Sequence, residues 1–503
     1  MKLKFPHSSQ NWISLIGATI ALISFFMIVF LFVVDTFFEK GNTYLGLVIF
    51  MVLPAVLFFG LILIPIGMYR KTRREKRGII SSKPGWPVVD LNNLRTRNGF
   101  MIFSVGTSIF LLATAVGSYE AFHYTESVEF CGELCHEVMK PEFVAYQNSS
   151  HSRVACVSCH VGDGVGWYVK SKMSGLYQVY AVAMNNYPRP IPTPIANLRP
   201  ARETCEECHW PEKFYFRKLR IQKHYLSDEN NSEWDINLTM KIGSELSALG
   251  LQEGIHWHIN PDIKIEYKAA DYQRKTIPWV KYTNLKTGKE TIYLDENIKM
   301  SAKELEDLET RTMDCMDCHT RPSHNYQPPA FFINNAITAG KIPKELKQIK
   351  FAAMEIMRVD FPTSDSAMKG ISQMINDFYK DNYPDIYANK KELIKKAVSG
   401  IQAEYSKNIF PEMKVKWSHY QNNIGHLEFN GCFRCHNDNH SSKSGIKISK
   451  DCNLCHTINA QGYSDKLEIS NVNSSLEFKH PGNTVTDEWK SMLCVECHTG
   501  LNP

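Results

Sequence analysis

Gly431-Cys432-Phe433-Arg434-Cys435-His436, and then Cys452-Asn453-Leu454-Cys455-His456, form the stretch on which the fold turns. Each half places two cysteines three apart and a histidine directly after the second. The arrangement recurs at Cys156/Cys159-His160, Cys205/Cys208-His209, Cys315/Cys318-His319 and Cys494/Cys497-His498, and in a looser form at Cys131/Cys135-His136. These pairs use all 14 cysteines of the 503-residue chain. Two thiols at this spacing add to the two vinyl groups of a haem, and the adjoining imidazole reaches its iron from one side. A zinc knuckle explains paired cysteines but needs no histidine directly after the second. A disulfide scaffold needs no uniform spacing. With no cysteine left over, the sequence predicts seven covalently attached haem c groups.

The apolar residues gather at the N-terminus. Asn11–Val34, Gly41–Tyr69 and Gly99–Tyr119 hold no Asp, Glu, Lys or Arg, and each is long enough to cross a bilayer as a helix. The spans are set at about 11–34, 43–69 and 99–121. Lys2 and Lys4 precede the first run as in a signal peptide, but the run is long and aromatic-rich, and no small-x-small cleavage site follows. It reads as a retained anchor. Between the second and third spans, Arg70-Lys71-Thr72-Arg73-Arg74-Glu75-Lys76-Arg77 carries six basic residues against one acidic. The positive-inside rule places that segment in the cytoplasm. The N-terminus is then cytoplasmic, and everything after Tyr119 lies outside. Haem attachment gives the same topology, because it belongs to the oxidising, periplasmic face of a bacterial inner membrane.

The formal charge of +5 invites a nucleic-acid reading, which its distribution removes. Residues 1–122 hold 12 Lys/Arg against 5 Asp/Glu, whereas the remainder holds 45 against 47. The basic excess belongs to the membrane's inner face.

The chain therefore reads as a multihaem cytochrome c: three N-terminal transmembrane helices, then a mainly α and irregular, haem-packed periplasmic domain with a small β-hairpin insertion. Residues 1–122 form the anchor and 123–325 a four-haem region with a β insertion at about 225–312. Residues 326–425 form a helical, haem-poor region and 426–503 a three-haem region. Alternating Trp279-Val280-Lys281-Tyr282 and Thr291-Ile292-Tyr293-Leu294 flank the turn-like Lys286-Thr287-Gly288-Lys289. Leu346, Ile349, Phe351, Ala353, Ile356 and Met357, and then Leu393, Ile394, Ala397 and Ile401, recur at helical spacing as packing faces.

Each six-coordinate haem needs a second axial ligand besides His136, His160, His209, His319, His436, His456 or His498. Of 18 histidines, 11 lie outside the motifs, enough for mostly bis-histidine ligation. The candidates are His151, His224, His256, His258, His324, His426, His440 and His480, with one ligand expected from the His256/His258 pair. His7 is cytoplasmic in this topology, and His123 and His419 are open either way. Spacing does not assign distal ligands to haems. The first motif, Cys131-Gly132-Glu133-Leu134-Cys135-His136, has three residues between its cysteines, and Met139 follows three positions later. On one helical turn His136 and Met139 share a face, so they are alternative ligands on one side of iron rather than opposite partners. Met139 either ligates or packs on the porphyrin. This haem sits close to the membrane, since Cys131 follows the third span by 12 positions.

Beyond the motifs, Phe130–His136, Tyr146-Gln147-Asn148-Ser149-Ser150-His151, Cys156–His160 and Lys170–Gly175 resemble the NapC/NirT-type membrane-anchored quinol dehydrogenases. Pro188–Pro194, Arg199–Thr204 and Gly431–His436 extend the likeness to the inner-membrane heptahaem cytochromes of metal-respiring bacteria. The resemblance implies oxidation of quinol from the membrane quinone pool at the first haem, and electron transfer to a periplasmic acceptor cytochrome or reductase in anaerobic or extracellular respiration. It leaves room for membrane partner subunits. In the family a Met near the first motif ligates that haem; here the spacing to Met139 is one residue longer. The family's Lys-x-x-Gly-x-x-Asp quinol pattern is matched at Lys172 and Gly175, but Gln178 stands at the Asp position. Gln hydrogen-bonds a quinol yet cannot take its proton. Proton removal then falls to Asp163, Glu137 or water. The alternatives are a passive relay fed by a separate quinol-oxidising partner, or a nitrite- or hydroxylamine-type reductase, which commonly replaces a motif His by Lys; no C-x-x-C-K occurs here.

Overall fold

The computed structural model describes residues 6–37, 53–79, 90–95, 97–98, 100–102, 105, 120, 123–134, 136–161, 164–195, 200–214, 216–243, 254–471, 474–482, 485 and 487–501. It divides into two compact units, Met1–Glu126 with Val161–Gly175 and Ser127–His160 with Leu176–Pro503.

In the first unit two apolar helices, α1 (Trp12–Phe37) and α2 (Leu53–Lys76), lie against each other. At 1.5 Å per residue, their 26 and 24 residues exceed the roughly 30 Å hydrocarbon core. Small residues let the backbones approach: a Cβ on Gly17 would stand 2.6 Å from the Gly60 carbonyl oxygen, and one on Gly60 2.8 Å from the Ala21 nitrogen. The Ser14 hydroxyl donates to the Ile64 carbonyl at 2.9 Å. The basic run from Arg70 to Lys76, expected as part of a loop, is the end of α2. Lys and Arg are good helix formers and favour the negative end of the helix dipole, so the helix continues past the apolar stretch. Among the described residues, two helices have the length and composition to cross a membrane. Most of the expected third span lies outside the described residues.

In the second unit, α3 (His136–Gln147) begins at the histidine of the first motif; α4 (Val165–Ala183), which follows the second motif, belongs to the first unit as far as Gly175 and to the second from Leu176. The expected hairpin is present as β4 and β5, but it belongs to something larger. The strands are β1 (Arg217–Tyr225), β2 (Glu233–Lys241), β3 (Ile263–Lys268), β4 (Trp279–Asn284), β5 (Glu290–Asp295), β6 (Thr310–Thr312), β7 (His440–Ser442), β8 (His456–Tyr463) and β9 (Glu468–Ile469). They form two antiparallel sheets, ordered β1-β2-β8-β9 and β6-β3-β4-β5-β7. Gly288, at φ +70°, supplies the left-handed residue of the β4–β5 turn. Both sheets join the middle of the chain to strands beside the fifth and sixth motifs, which local alternation could not reveal.

The haem-poor stretch is helical: α5 (Pro329–Thr338), α6 (Ile349–Met357), α7 (Ser364–Asn382) and α8 (Lys391–Asn408). A Thr363 capping box opens α7, whose stripe Ala367, Ile371, Ile375 and Tyr379 is wholly buried. It packs in one core with Ile333, Ile342, Leu346, Ile349, Ile356, Ala397 and Ile401. Of the expected packing positions, Phe351 is exposed, two residues round the helix from Ile349.

Candidate haem and quinol sites

The motif spacing takes its meaning from one helical turn. The segments Cys156–His160, Cys315–Cys318, Gly431–Arg434, Cys452–Leu454 and Cys494–Glu496 are single helical turns. In four motifs the histidine N–H closes the turn on the first cysteine's carbonyl: His209 on Cys205 at 2.8 Å, His319 on Cys315 at 2.8 Å, His436 on Cys432 at 3.0 Å and His498 on Cys494 at 2.8 Å. Residues i, i+3 and i+4 then share one face, so both thiols and the imidazole address one ligand. The first motif absorbs its extra residue in a π-turn, Phe130–Leu134, whose wider ring holds one more residue per turn. Gly132 abuts the Phe143 ring, which a Cβ would meet at 2.3 Å. Met139 is half-buried on α3. Cys135 lies outside the described residues, as does the His136 side chain.

Six motif histidines each face a second histidine. Ring centres lie 6.1 Å apart for His160–His324, 6.1 Å for His209–His151, 6.3 Å for His319–His256 and 5.8 Å for His436–His258. They lie 6.3 Å apart for His456–His426 and 5.7 Å for His498–His480. An imidazole nitrogen bonds a metal at about 2 Å, and the ring centre stands roughly 1 Å further back, so imidazoles on opposite sides of one iron have centres about 6 Å apart. The donor set therefore fits haem c with two axial histidines. Burial first of all holds His160, His256, His258, His319, His324, His436, His456 and His498 below the ordinary imidazole value, and pushes His426 down to about 4. The neutral ring is the metal-binding form. Among the described residues, no group of three or more His, Cys, Asp or Glu comes together to hold a bare metal ion.

Three expectations change here. His256 and His258 both face motif histidines, where one ligand was expected. They sit in the 3₁₀ turn Ile255–Ile259, and at three residues per turn, positions two apart point to different sides. His440 pairs with no histidine. It is fully buried, and its Nε2 lies 2.8 Å from the Ile277 carbonyl while its Nδ1 lies 3.1 Å from Asn437 Oδ1, so both ring nitrogens are engaged. His224 on β1 does not pair either. Burial, then Lys350 and His498, pushes it down to about 4, and the His498 ring is already matched by His480.

Cys159, Cys208 and Cys497, each the second cysteine of its motif, are exposed on the protein surface, as is Cys452, the first of its own. Cys131, Cys156, Cys205, Cys315, Cys318, Cys432, Cys435, Cys455 and Cys494 are half-buried. In the second, third and seventh motifs the shielded thiol is the first, Cys156, Cys205 or Cys494.

Successive motifs are neighbours. The side chains of Cys131 and Cys156 are neighbours, as are those of Cys205 and Cys315. Arg434, inside the fifth motif, donates to the Asp317 carbonyl inside the fourth at 2.8 Å. Cys494 Sγ lies 3.6 Å from His426 Nδ1. Asp317 is itself a buried hub: its carboxylate accepts from Tyr267 Oη at 2.5 Å, Arg311 Nε at 2.9 Å and Arg274 Nη1 at 3.1 Å. Arg321 fixes the His324 ring from behind, pairing with Glu142 at 2.6 Å, while the Glu142 carbonyl lies 3.0 Å from His324 Nδ1.

Of the expected quinol-site residues, Asp163 lies outside the described residues, and Lys172 and Gln178 both lie on α4. Six residues place them about a third of a turn apart round the helix. Lys172 pairs with the carboxylate of Glu126 and stands 5.1 Å from the centre of the Tyr168 ring. Lys170 stands 5.0 Å from the Trp167 ring. Sequence reading missed Glu126; its signal is an acid on the short segment between the third span and the first motif, where charge is costly and functional. Along α4, Val169, Met173, Leu176 and Tyr180 form an exposed apolar stripe.

Residues 94–190 match the NapC/NirT cytochrome c family, N-terminal region. The chain is 41% identical over 488 residues to cytochrome c-type protein ImcH of Geobacter sulfurreducens, covering 97% of this chain and 95% of that protein. No solved structure matches it. Membrane-anchoring helices, haem-binding motifs and this relationship agree: the chain belongs to the NapC/NirT cytochrome c family.

Proposed function

We propose that this protein is a heptahaem cytochrome of the bacterial inner membrane that oxidises membrane quinol and delivers electrons to a periplasmic acceptor. The observation that carries the reading is the set of six histidine pairs, each at the separation one iron requires. When bound, haem c supplies one-electron iron chemistry. Two imidazoles per iron leave no open position for a small substrate, which favours electron transfer over nitrite or hydroxylamine reduction. The contacts between successive motifs suit a continuous file from the first to the seventh. Arg321 and Glu142 hold the His324 ring in place, the usual role of groups behind a metal ligand. The first motif, with Met139 on the same face as His136, is the one suited to an accessible centre. Lys172 binds and orients the quinol, and the apolar stripe of α4 suits a lipid surface. The N-terminus is cytoplasmic and the haem-bearing part periplasmic, as the basic end of α2 favours.

The test is reduction of the purified full-length protein, in detergent, by a menaquinol analogue, followed at the haem α-band. A haemochrome assay on the same material should return seven haems per chain. Reduction only after adding a membrane partner would favour the relay. Rapid turnover of nitrite or hydroxylamine would favour the reductase.

A further inference from the structure

We infer that Glu126 takes the quinol proton, replacing the acid that Gln178 cannot supply. The inference rests on the quinol-oxidising reading above. Glu126 is 9% exposed and belongs to the same compact unit as Lys172 and Tyr168. One carboxylate oxygen is held by the Lys172 ammonium, which in turn lies over the Tyr168 ring. The other oxygen, Oε2, is buried and has no hydrogen-bond partner among the described residues. A buried acceptor left unpaired costs free energy unless something donates to it, so this atom points to a ligand hydroxyl. Glu126 also precedes Cys131 by five residues, which ties it in sequence to the first motif.

The chemistry balances as follows. One quinol loses two electrons and two protons and becomes quinone. The electrons would be taken one at a time by oxidised haem c held by the cysteine motifs, and each O–H bond breaks as its proton passes to a base. The hydroxyl that faces Glu126 gives its proton to Oε2, which passes it to water; the hydroxyl at the opposite end of the ring releases its proton directly to water. Lys172 holds the carboxylate in place through its other oxygen. A carboxylate on the donor's hydroxyl is general-base catalysis, which contributes about 10²–10⁴ in rate.

The experiment compares wild type, Glu126→Gln, Glu126→Asp and Glu126→Ala as full-length protein in detergent. Three readouts are taken: haem reduction by menadiol, haem reduction by dithionite, and binding of a fluorescent hydroxyquinoline N-oxide quinol analogue. Glu126→Gln keeps an oxygen for Lys172 but cannot accept the proton. It should lose about 100-fold in the menadiol rate, with dithionite reduction unchanged and analogue binding weakened by no more than about tenfold, the contribution of one hydrogen bond. Glu126→Asp should recover part of the rate, and added acetate should recover part of it in Glu126→Ala. A Glu126→Gln rate within about threefold of wild type overturns the assignment, being far below what general-base loss costs. Loss of analogue binding in step with the rate also overturns it, because Glu126 would then only shape the pocket. A wild type that dithionite reduces and menadiol does not overturns the quinol reading itself, and this inference with it.

Discussion

Lys350 is fully buried between α5 and α6, with only neutral partners: its Nζ donates to Asn334 Oδ1 at 2.8 Å and to the Ala330 carbonyl at 3.2 Å. Burial pushes its pKa down to about 7 from an ordinary 10.5. Between those values the unfolded chain binds a proton that the folded chain does not, so stability rises with pH across that window. Relative to an uncharged side chain, the lysine costs about 4 kcal/mol at pH 7 and about 2 kcal/mol at pH 9. Lys350→Met removes this term. It also removes two hydrogen bonds, each contributing about 1 kcal/mol, but that loss does not vary with pH. The stability advantage of Lys350→Met over wild type should therefore shrink by about 2 kcal/mol between pH 7 and pH 9. Denaturant midpoints of the full-length protein, followed by far-UV circular dichroism at pH 7, 8 and 9, measure it. Parallel curves for the two proteins across that range would refute the argument, since they would mean that Lys350 stays charged when folded.

His258→Ala and His256→Ala should each convert one low-spin haem equivalent to high spin in absorption and electron paramagnetic resonance spectra, whereas His440→Asn should leave the spectra unchanged and lower stability. High-spin signal from His440→Asn would reverse the ligand assignment. Asp317→Asn unbalances a buried cluster holding Arg274 and Arg311, and should cost about 3–5 kcal/mol in denaturant stability; a loss below about 1 kcal/mol would deny it a structural role. Gly60→Ala puts a methyl into the backbone contact between α1 and α2, and should destabilise the detergent-solubilised protein by about 1–3 kcal/mol in thermal melts.

Features set by neighbours in sequence were legible. One turn of helix explains why Cys432, Cys435 and His436 act together, and alternation with Gly288 located the β4–β5 hairpin. The buried stripe of α8 followed from periodicity at Ile394, Ala397 and Ile401. Features set by distant partners were not. His160 meets His324 and His436 meets His258 only in the folded chain, so counting histidines gave the supply but not the matches. His440 looked like a ligand because four residues separate it from His436, yet tertiary hydrogen bonds use both its nitrogens. The sequence of β1 alternates Leu219 and Ile221 with charged residues, but its role in a sheet depends on β2 and, through it, on β8.

The strand order of the two sheets also governs what a shortened chain could be. β8 covers the side of β2 away from β1, and β7 covers the side of β5 away from β4. A polypeptide ending before Cys432 would lack both covering strands, leaving two rows of unsatisfied amides and carbonyls open to other chains. Truncation there would yield a species prone to self-association rather than a smaller working cytochrome, and completion of the sheets awaits export of the last part of the chain.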